Sequence, residues 1–330
     1  MNNMTVNIGV IGVGHLGQHH VKHFLGLKSA NLVGIHDLNK NRAKEISEKF
    51  GIPFFNNIKN LINKIDAVSI VTPTETHAKM AEYCIERNKH VFIEKPITKT
   101  IQEADKILKL AKDRSIIIQV GHIERLNPGI VALQKYKIRP KFIEIQRLAP
   151  YTVRGTDVPV VLDKMIHDID ILLSIVNSKV KSIQASGLSI LTDSIDIAHV
   201  RIQFENGTIS SLVSSRIAQV ELRKIKIFEK NFYATVDLLL GLTEVYKVIN
   251  KITDAPNAIQ TKYFDYKNNK TLIAYEKPNI ITGDALKMEL ANFIESVKGK
   301  SEPIVSGQEA KEALALALDI QNIIIQDLKQ

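Results

Sequence analysis

Residues 12–17 read Gly-Val-Gly-His-Leu-Gly, three glycines spaced G-x-G-x-x-G, directly after the apolar run Val6–Ile11 and directly before an amphipathic stretch over 16–25. Asp37 follows Gly17 by twenty residues, at the end of a second apolar run over 31–36. This order of strand, glycine loop, helix, strand and acid is the context in which the spacing carries meaning. Gly12 permits a tight turn, Gly14 lets the backbone approach a pyrophosphate, and Gly17 lets helix and strand pack closely. The start of the helix then offers N–H groups and partial positive charge to phosphates, so the cofactor-facing set begins with Gly12, Gly14, His15, Leu16 and Gly17. Asp37 is expected to accept from ribose hydroxyls. Its carboxylate would repel a 2′-phosphate and no arginine directly follows it (Arg42 is further into the next helix), so the expected cofactor is NAD.

The alternation continues through residue 122. Apolar runs at 67–71, His90–Glu94 and 116–120 are separated by helical periodicities at 40–49, 75–87 and Ile101–Asp113. Continuous Val/Ile runs divided by helices describe a parallel sheet covered on both faces, the α/β doubly wound or Rossmann arrangement. After residue 122 the texture changes. Helices are predicted at 128–136 and 162–176, and β-type runs at 141–147, Val180–Leu188, Ile197–Phe204, 208–214, 223–229, 232–236 and 244–249. Asn206-Gly207 marks a hairpin turn. Helices at 284–297 and 308–326 close the chain. The expected organisation is a Rossmann domain over 1–122 and an α+β domain over 123–330 built on a predominantly antiparallel open sheet.

Composition bounds the function classes. A chain of 330 residues, 45% hydrophobic and 24% charged, has the material for two cores. The net charge of +9 is spread without a block of five like charges or a basic stripe interleaved with aromatics, so no nucleic-acid partner is expected. No apolar run is long enough to span a bilayer, no leader pattern is visible, and the single cysteine, Cys84, excludes an internal disulfide. These features set the expectation of a cytoplasmic protein with no membrane partner. His15, His19 and His23 recur at i, i+4, i+8 but sit at a phosphate-binding helix start, where packing or exposed roles suit them better than a metal.

A second layer of motifs lies at the later strands: Thr72-Pro73-Thr74-Glu75-Thr76-His77, Glu94-Lys95-Pro96, the stretch Gly121-His122-Ile123-Glu124-Arg125-Leu126-Asn127-Pro128, and Asp163-Lys164-Met165-Ile166-His167-Asp168-Ile169-Asp170. With the glycine loop they resemble, in order and across both domains, the glucose–fructose oxidoreductase / inositol dehydrogenase / MocA (Gfo/Idh/MocA) family. The resemblance implies NAD-dependent hydride transfer to or from a secondary carbinol carbon of a sugar or cyclitol, with Lys95 and His167 as the catalytic pair. It also implies cofactor contacts from Thr72, Pro73, His77, Glu94 and Lys95. The stretch at 121–128 and the Met165–Asp170 segment look most like family members acting on nucleotide sugars such as UDP-N-acetylglucosamine, whose diphosphate needs cations. Arg125, Arg147 and Arg154 are candidates, with Asn127, Asp163 and His167 at the sugar. A myo-inositol or free-sugar dehydrogenase is the alternative within the family; a non-catalytic NAD or ligand sensor is the alternative outside it.

These residues suit the chemistry. An alcohol is too weak an acid to lose its proton unaided near neutral pH, and histidine is a matched base. A lysine ammonium can stabilise negative charge on the substrate oxygen. On a helix over 162–176, Asp163, His167 and Asp170 recur at i, i+4, i+7 and share a face, so Asp163 could orient the imidazole, raise its basicity or bind a hydroxyl. No metal is expected, since hydride transfer to nicotinamide needs none. Val200, Ile202 and Phe204 alternate with Arg201 and Gln203, an apolar sheet face expected to be covered in a homodimer or homotetramer.

Overall fold

The computed structural model describes residues 5–152, 158–266, 269–280 and 283–329. The chain divides into two compact units, Met1–Ile123 with Gly283–Ala315, and Glu124–Thr282 with Leu316–Gln330. The first cut falls within a residue of the expected boundary at 122, but the second domain is not the contiguous 123–330 segment. Residues 283–315 belong with the first unit.

The first unit is built on five parallel strands, β1 (Val6–Ile11), β2 (Ala30–His36), β3 (Ala67–Ile70), β4 (His90–Glu94) and β5 (Ile118–Gly121), in the order β2-β1-β3-β4-β5. The helices between them are α1 (Gly17–Leu25), α2 (Lys40–Phe50), the short α3 (Ile58–Ile62), α4 (Thr74–Ile85) and α5 (Ile101–Asp113). All four residues of β3 are buried, as a strand covered on both faces requires. Helix α5 begins where Thr100 accepts from the Glu103 N–H while Glu103 accepts from the Thr100 N–H, a reciprocal cap.

A later helix, α8 (Ala285–Val297), explains the discontinuity. Leu286, Leu290, Phe293 and Ile294 form one stripe and join Val6, Val10, Val21 and Phe24 in a single buried cluster. The Phe293 ring meets Phe92 of β4 edge-on at 5.7 Å. Each such side chain contributes about 1.5–3 kcal/mol by leaving water, which is why the segment belongs with this sheet despite its distance in sequence.

Among the described residues the second unit carries α6 (Pro128–Leu133), α7 (Ile166–Val176) and nine strands: β6 (Phe142–Leu148), β7 (Val180–Leu188), β8 (Ile197–Phe204), β9 (Ile209–Ser215), β10 (Leu222–Glu229), β11 (Phe232–Asp237), β12 (Leu242–Ile249), β13 (Gln260–Tyr266) and β14 (Asn269–Glu276). Their order is β13-β14-β12-β11-β10-β6-β9-β8-β7. Every neighbouring pair is antiparallel except β6 with β9. The edge hairpin of β13 and β14 was not anticipated from the sequence, because lysines and asparagines interrupt its apolar alternation. The last helix is α9 (Gly307–Asp327).

Two expectations need correction. Val200, Ile202 and Phe204 are already buried within the chain, so that face needs no partner to cover it. The other sheet face carries a row of aromatics across five strands, Phe142, Phe228, Tyr233, Tyr246 and Tyr275, with successive centroids 4.9–5.8 Å apart. The helix expected over 162–176 is also not uniform: Val161–Met165 is a π-helical turn, wider than α, that runs into α7. Single π turns inside helices recur at functional sites.

Candidate functional site

In the first unit the glycine loop has the geometry the spacing predicts. Gly12 adopts φ +86°, and a Cβ on it would meet the Val71 carbonyl oxygen at 2.4 Å. A Cβ on Gly17 would lie 2.0 Å from the Gly12 oxygen, whereas one on Gly14 would meet nothing within 4 Å. Gly12 and Gly17 are thus demanded by the fold, and Gly14 by whatever approaches the exposed loop. Helix α1 starts with no side-chain cap; the N–H groups of Gln18, His19 and His20 turn back onto the Gly14 and Leu16 carbonyls, so the N–H groups that could meet a ligand are those of the loop just before them. Asp37 accepts from the Val13 N–H through Oδ2 and from the Asn39 N–H through Oδ1, both at 2.8 Å, which fixes its carboxylate beside the loop. This cradle fits a dinucleotide: the loop and α1 would hold the pyrophosphate, and Asp37 the ribose of the adenosine half.

Arg42 is closer to this corner than its place in the sequence implied. Its Nε donates to the Val13 carbonyl at 2.9 Å and its Nη2 to the Gly14 carbonyl at 3.4 Å, because the first turn of α2 folds back toward the loop. Beyond β3, Thr72 accepts from Thr76 Oγ1 at 2.7 Å, and Pro73 is exposed ahead of α4. His77, expected at the cofactor, is only 1% exposed. Its ring nitrogens lie 2.8 Å from the carbonyl oxygens of Thr72 and Pro96, so it braces the two loops that carry Thr72 and Lys95. Glu94 and Lys95, at the carboxyl end of β4, are half-buried.

In the second unit, His167 and Asp163 are half-buried, on α7 and on the π turn before it. Asp170 does not complete an exposed face with them. It is 1% exposed and takes a forked pair from Arg125, Nε to Oδ2 at 2.7 Å and Nη2 to Oδ1 at 2.9 Å. Arg147, only 5% exposed, grips the neighbouring Asp168 and also reaches Glu124 at 3.0 Å. Burial alone would lower the Arg147 pKa, but Asp168 and Glu124 outweigh it and hold the guanidinium charged. Arg125 and Arg147, read from the sequence as diphosphate candidates, are therefore engaged by carboxylates that anchor α7. Asn127 is likewise used by the fold: its Oδ1 caps α6 by accepting from the Gly129 N–H at 3.0 Å, and its Nδ2 donates to the Leu238 carbonyl at 2.8 Å. Sequence spacing showed these polar residues together; only the fold shows which carboxylate each cation meets. Arg154 lies outside the described residues.

Among the described residues no group of three or more His, Cys, Asp or Glu is arranged to hold a metal, and no helix is long and apolar enough to cross a membrane. His15 and His19 meet edge-on at 5.7 Å, while His23 faces Asp284 at 3.4 Å.

The parallel sheet, the glycine loop with Asp37 and the Glu-Lys-Pro turn define an NAD-dependent oxidoreductase. Residues 6–122 match the family model described as the oxidoreductase family, NAD-binding Rossmann fold, and residues 149–230 match the GFO/IDH/MocA C-terminal domain. The chain is 31% identical over 315 residues to UDP-N-acetylglucosamine 3-dehydrogenase of Acidithiobacillus ferrooxidans, covering 95% of each. It is 27% identical to myo-inositol 2-dehydrogenase of Thermotoga maritima, covering 94% of each. A solved structure of the Acidithiobacillus enzyme superposes with a TM-score of 0.87 at 30% identity, over 97% of this chain and 98% of that one. The chain belongs to the Gfo/Idh/MocA family of NAD-dependent dehydrogenases.

Proposed function

We propose that this enzyme oxidises a secondary hydroxyl on the sugar ring of a nucleotide sugar of the UDP-N-acetylglucosamine type. The observation that carries the reading is the full-length similarity to an enzyme named for that activity. NAD, when bound, supplies the hydride acceptor. His167 takes the proton of the hydroxyl as its carbon becomes a carbonyl, and the Lys95 ammonium stabilises charge on that oxygen. Asp163, four residues before His167, orients the imidazole or accepts from a sugar hydroxyl. The chain's excess of cations over anions helps gather a diphosphate-bearing substrate, with Arg154 the remaining candidate for direct contact.

A second reading, a myo-inositol or free-sugar dehydrogenase, is favoured by the similarity to the Thermotoga enzyme. It needs no diphosphate contact. NADH formation with UDP-N-acetylglucosamine, UDP-glucose, myo-inositol and glucose in parallel separates the two. Signal confined to the acetylated nucleotide sugar supports the first; signal with inositol or glucose moves the enzyme to the second. Lys95→Ala and His167→Ala are expected to keep NAD affinity and lose turnover, whereas a ligand sensor would keep its output in both.

The enzyme works in the cytoplasm as a homodimer or homotetramer. Phe142 and Tyr246 of the aromatic row are 37% and 36% exposed, and the row supplies apolar area at the open sheet face. Light scattering that reports a monomer at all concentrations would defeat the assembly.

A further inference from the structure

The strand order assigns each half of a dinucleotide to one side of β1. Asp37, just past β2, takes the adenosine ribose, and the start of α1 takes the pyrophosphate. The remaining half then extends over the carboxyl ends of β3 and β4, where Thr72 and Glu94 stand. Glu94 is the last residue of β4, and its carboxylate lies against Gly121, its register neighbour on β5. A Cβ on Gly121 would come 2.9 Å from Oε1 and 3.1 Å from Oε2, so the glycine makes room for the acid.

Oε1 of Glu94 is 3.0 Å from Nε2 of His20, and Nδ1 of His20 is 2.9 Å from Oγ of Ser69 on β3. His20 is fully buried, edge-on to Phe92 at 5.6 Å, whereas the Glu94 side chain is 13% exposed. Among the described residues Oε2 accepts no hydrogen bond. The buried histidine thus meets Ser69 with one nitrogen and a single oxygen of the Glu94 carboxylate with the other, and the second carboxylate oxygen is left for a ligand.

We propose that His20 is a positioning residue for the nicotinamide end of the cofactor. Ser69 Oγ–H donates to Nδ1, which places the ring proton on Nε2; Nε2–H donates to Oε1; and Oε2 accepts from the carboxamide N–H of nicotinamide. No covalent step is involved. The proposal rests on NAD as the cofactor and is independent of which sugar is oxidised.

The test compares NAD with ADP-ribose, which lacks nicotinamide, by calorimetry on the full-length protein. His20→Gln carries its amide nitrogen near the Nε2 position and keeps the donor to Glu94; His20→Asn reaches only the Nδ1 position and loses it. His20→Asn is expected to weaken NAD about tenfold, the scale of one lost aligning hydrogen bond, while leaving ADP-ribose unchanged and His20→Gln near wild type. Glu94→Gln, on the partly exposed partner, must turn its oxygen to His20 and its amide toward the carboxamide, so it should lose NAD selectively as well. That variant keeps the test decisive if the buried substitutions do not fold. Equal losses for both ligands, equal behaviour of Asn and Gln at position 20, or unchanged NAD affinity would each overturn the proposal. Failure of the wild-type protein to bind NAD would instead defeat the cofactor reading.

Discussion

Arg147 and Asp168 form a buried forked pair, Nε to both carboxylate oxygens at 2.9–3.0 Å and Nη2 to Oδ1 at 2.8 Å, one residue away from His167. Together with Arg125 and Asp170 two residues further on, it ties α7 to β6 and to the segment before α6. His167, proposed as the base, is therefore carried by a helix held through two charge-assisted forks, the stronger class of hydrogen bond.

Arg147→Met leaves Asp168 buried without its cation, while half-buried Glu124 keeps Arg223, at 3.4 Å. The expected cost is about 3–5 kcal/mol of stability, the range for breaking one side of a buried pair. Denaturant unfolding followed by circular dichroism checks it, and a loss below about 1 kcal/mol would contradict the buried role.

Gly14 and Gly17 should separate by phenotype. Gly17→Ala forces a Cβ to 2.0 Å from the Gly12 oxygen, so both the thermal midpoint and NAD affinity fall. Gly14→Ala meets nothing within 4 Å in the protein, so the midpoint stays while NAD affinity falls about tenfold or more. Thermal melts and calorimetry on both variants report the difference.

Asp196 gives the fold an acid-sensitive point. Burial pushes its carboxyl up, but the Thr192 hydroxyl and the N–H groups of Ile190, Leu191 and Thr192 outweigh this and hold its pKa at about 2, against an ordinary 3.8. A lowered folded-state pKa means stability that is present above the unfolded value and lost as pH falls through the folded one. The stability gap between wild type and Asp196→Asn should be full at pH 5 and above, and shrink steadily from about pH 4 toward 2. A constant gap across that range would refute the assignment.

Cys84 is fully buried, and burial pushes its thiol up to about 12. A thiol reagent such as DTNB should leave the native protein unlabelled near neutral pH and label its single cysteine once denaturant is added. Rapid labelling of the native protein would show that α4 opens locally.

Much of the cofactor-binding unit was legible in the sequence because its signals are local. Gly12, Gly14, Gly17 and Asp37 sit at spacings set by one turn, one helix and one strand, and apolar runs such as Ala67–Ile70 report burial on both faces. The α+β unit was legible as a set of strands, and its hairpin of β13 and β14 escaped because polar residues blur the alternation. The partners of polar side chains were not legible. Arg125, Arg147 and Asn127 read as substrate contacts, and the fold gave them Asp170, Asp168 and the start of α6.

By itself, the sequence determined the class of the protein: a parallel sheet with a glycine loop, an acid at the end of the second strand, and a lysine and a histidine on separate segments of a chain with the family's motifs. The tertiary structure alone decided that residues 283–315 complete the first unit, that His77 braces loops, and that His20 holds Glu94. Periodicity encodes which side of an element is buried, because that depends on neighbours a few residues away. Which groups meet across elements depends on packing residues tens to hundreds of positions apart, and a buried cation or carboxylate takes whichever partner the fold delivers to it.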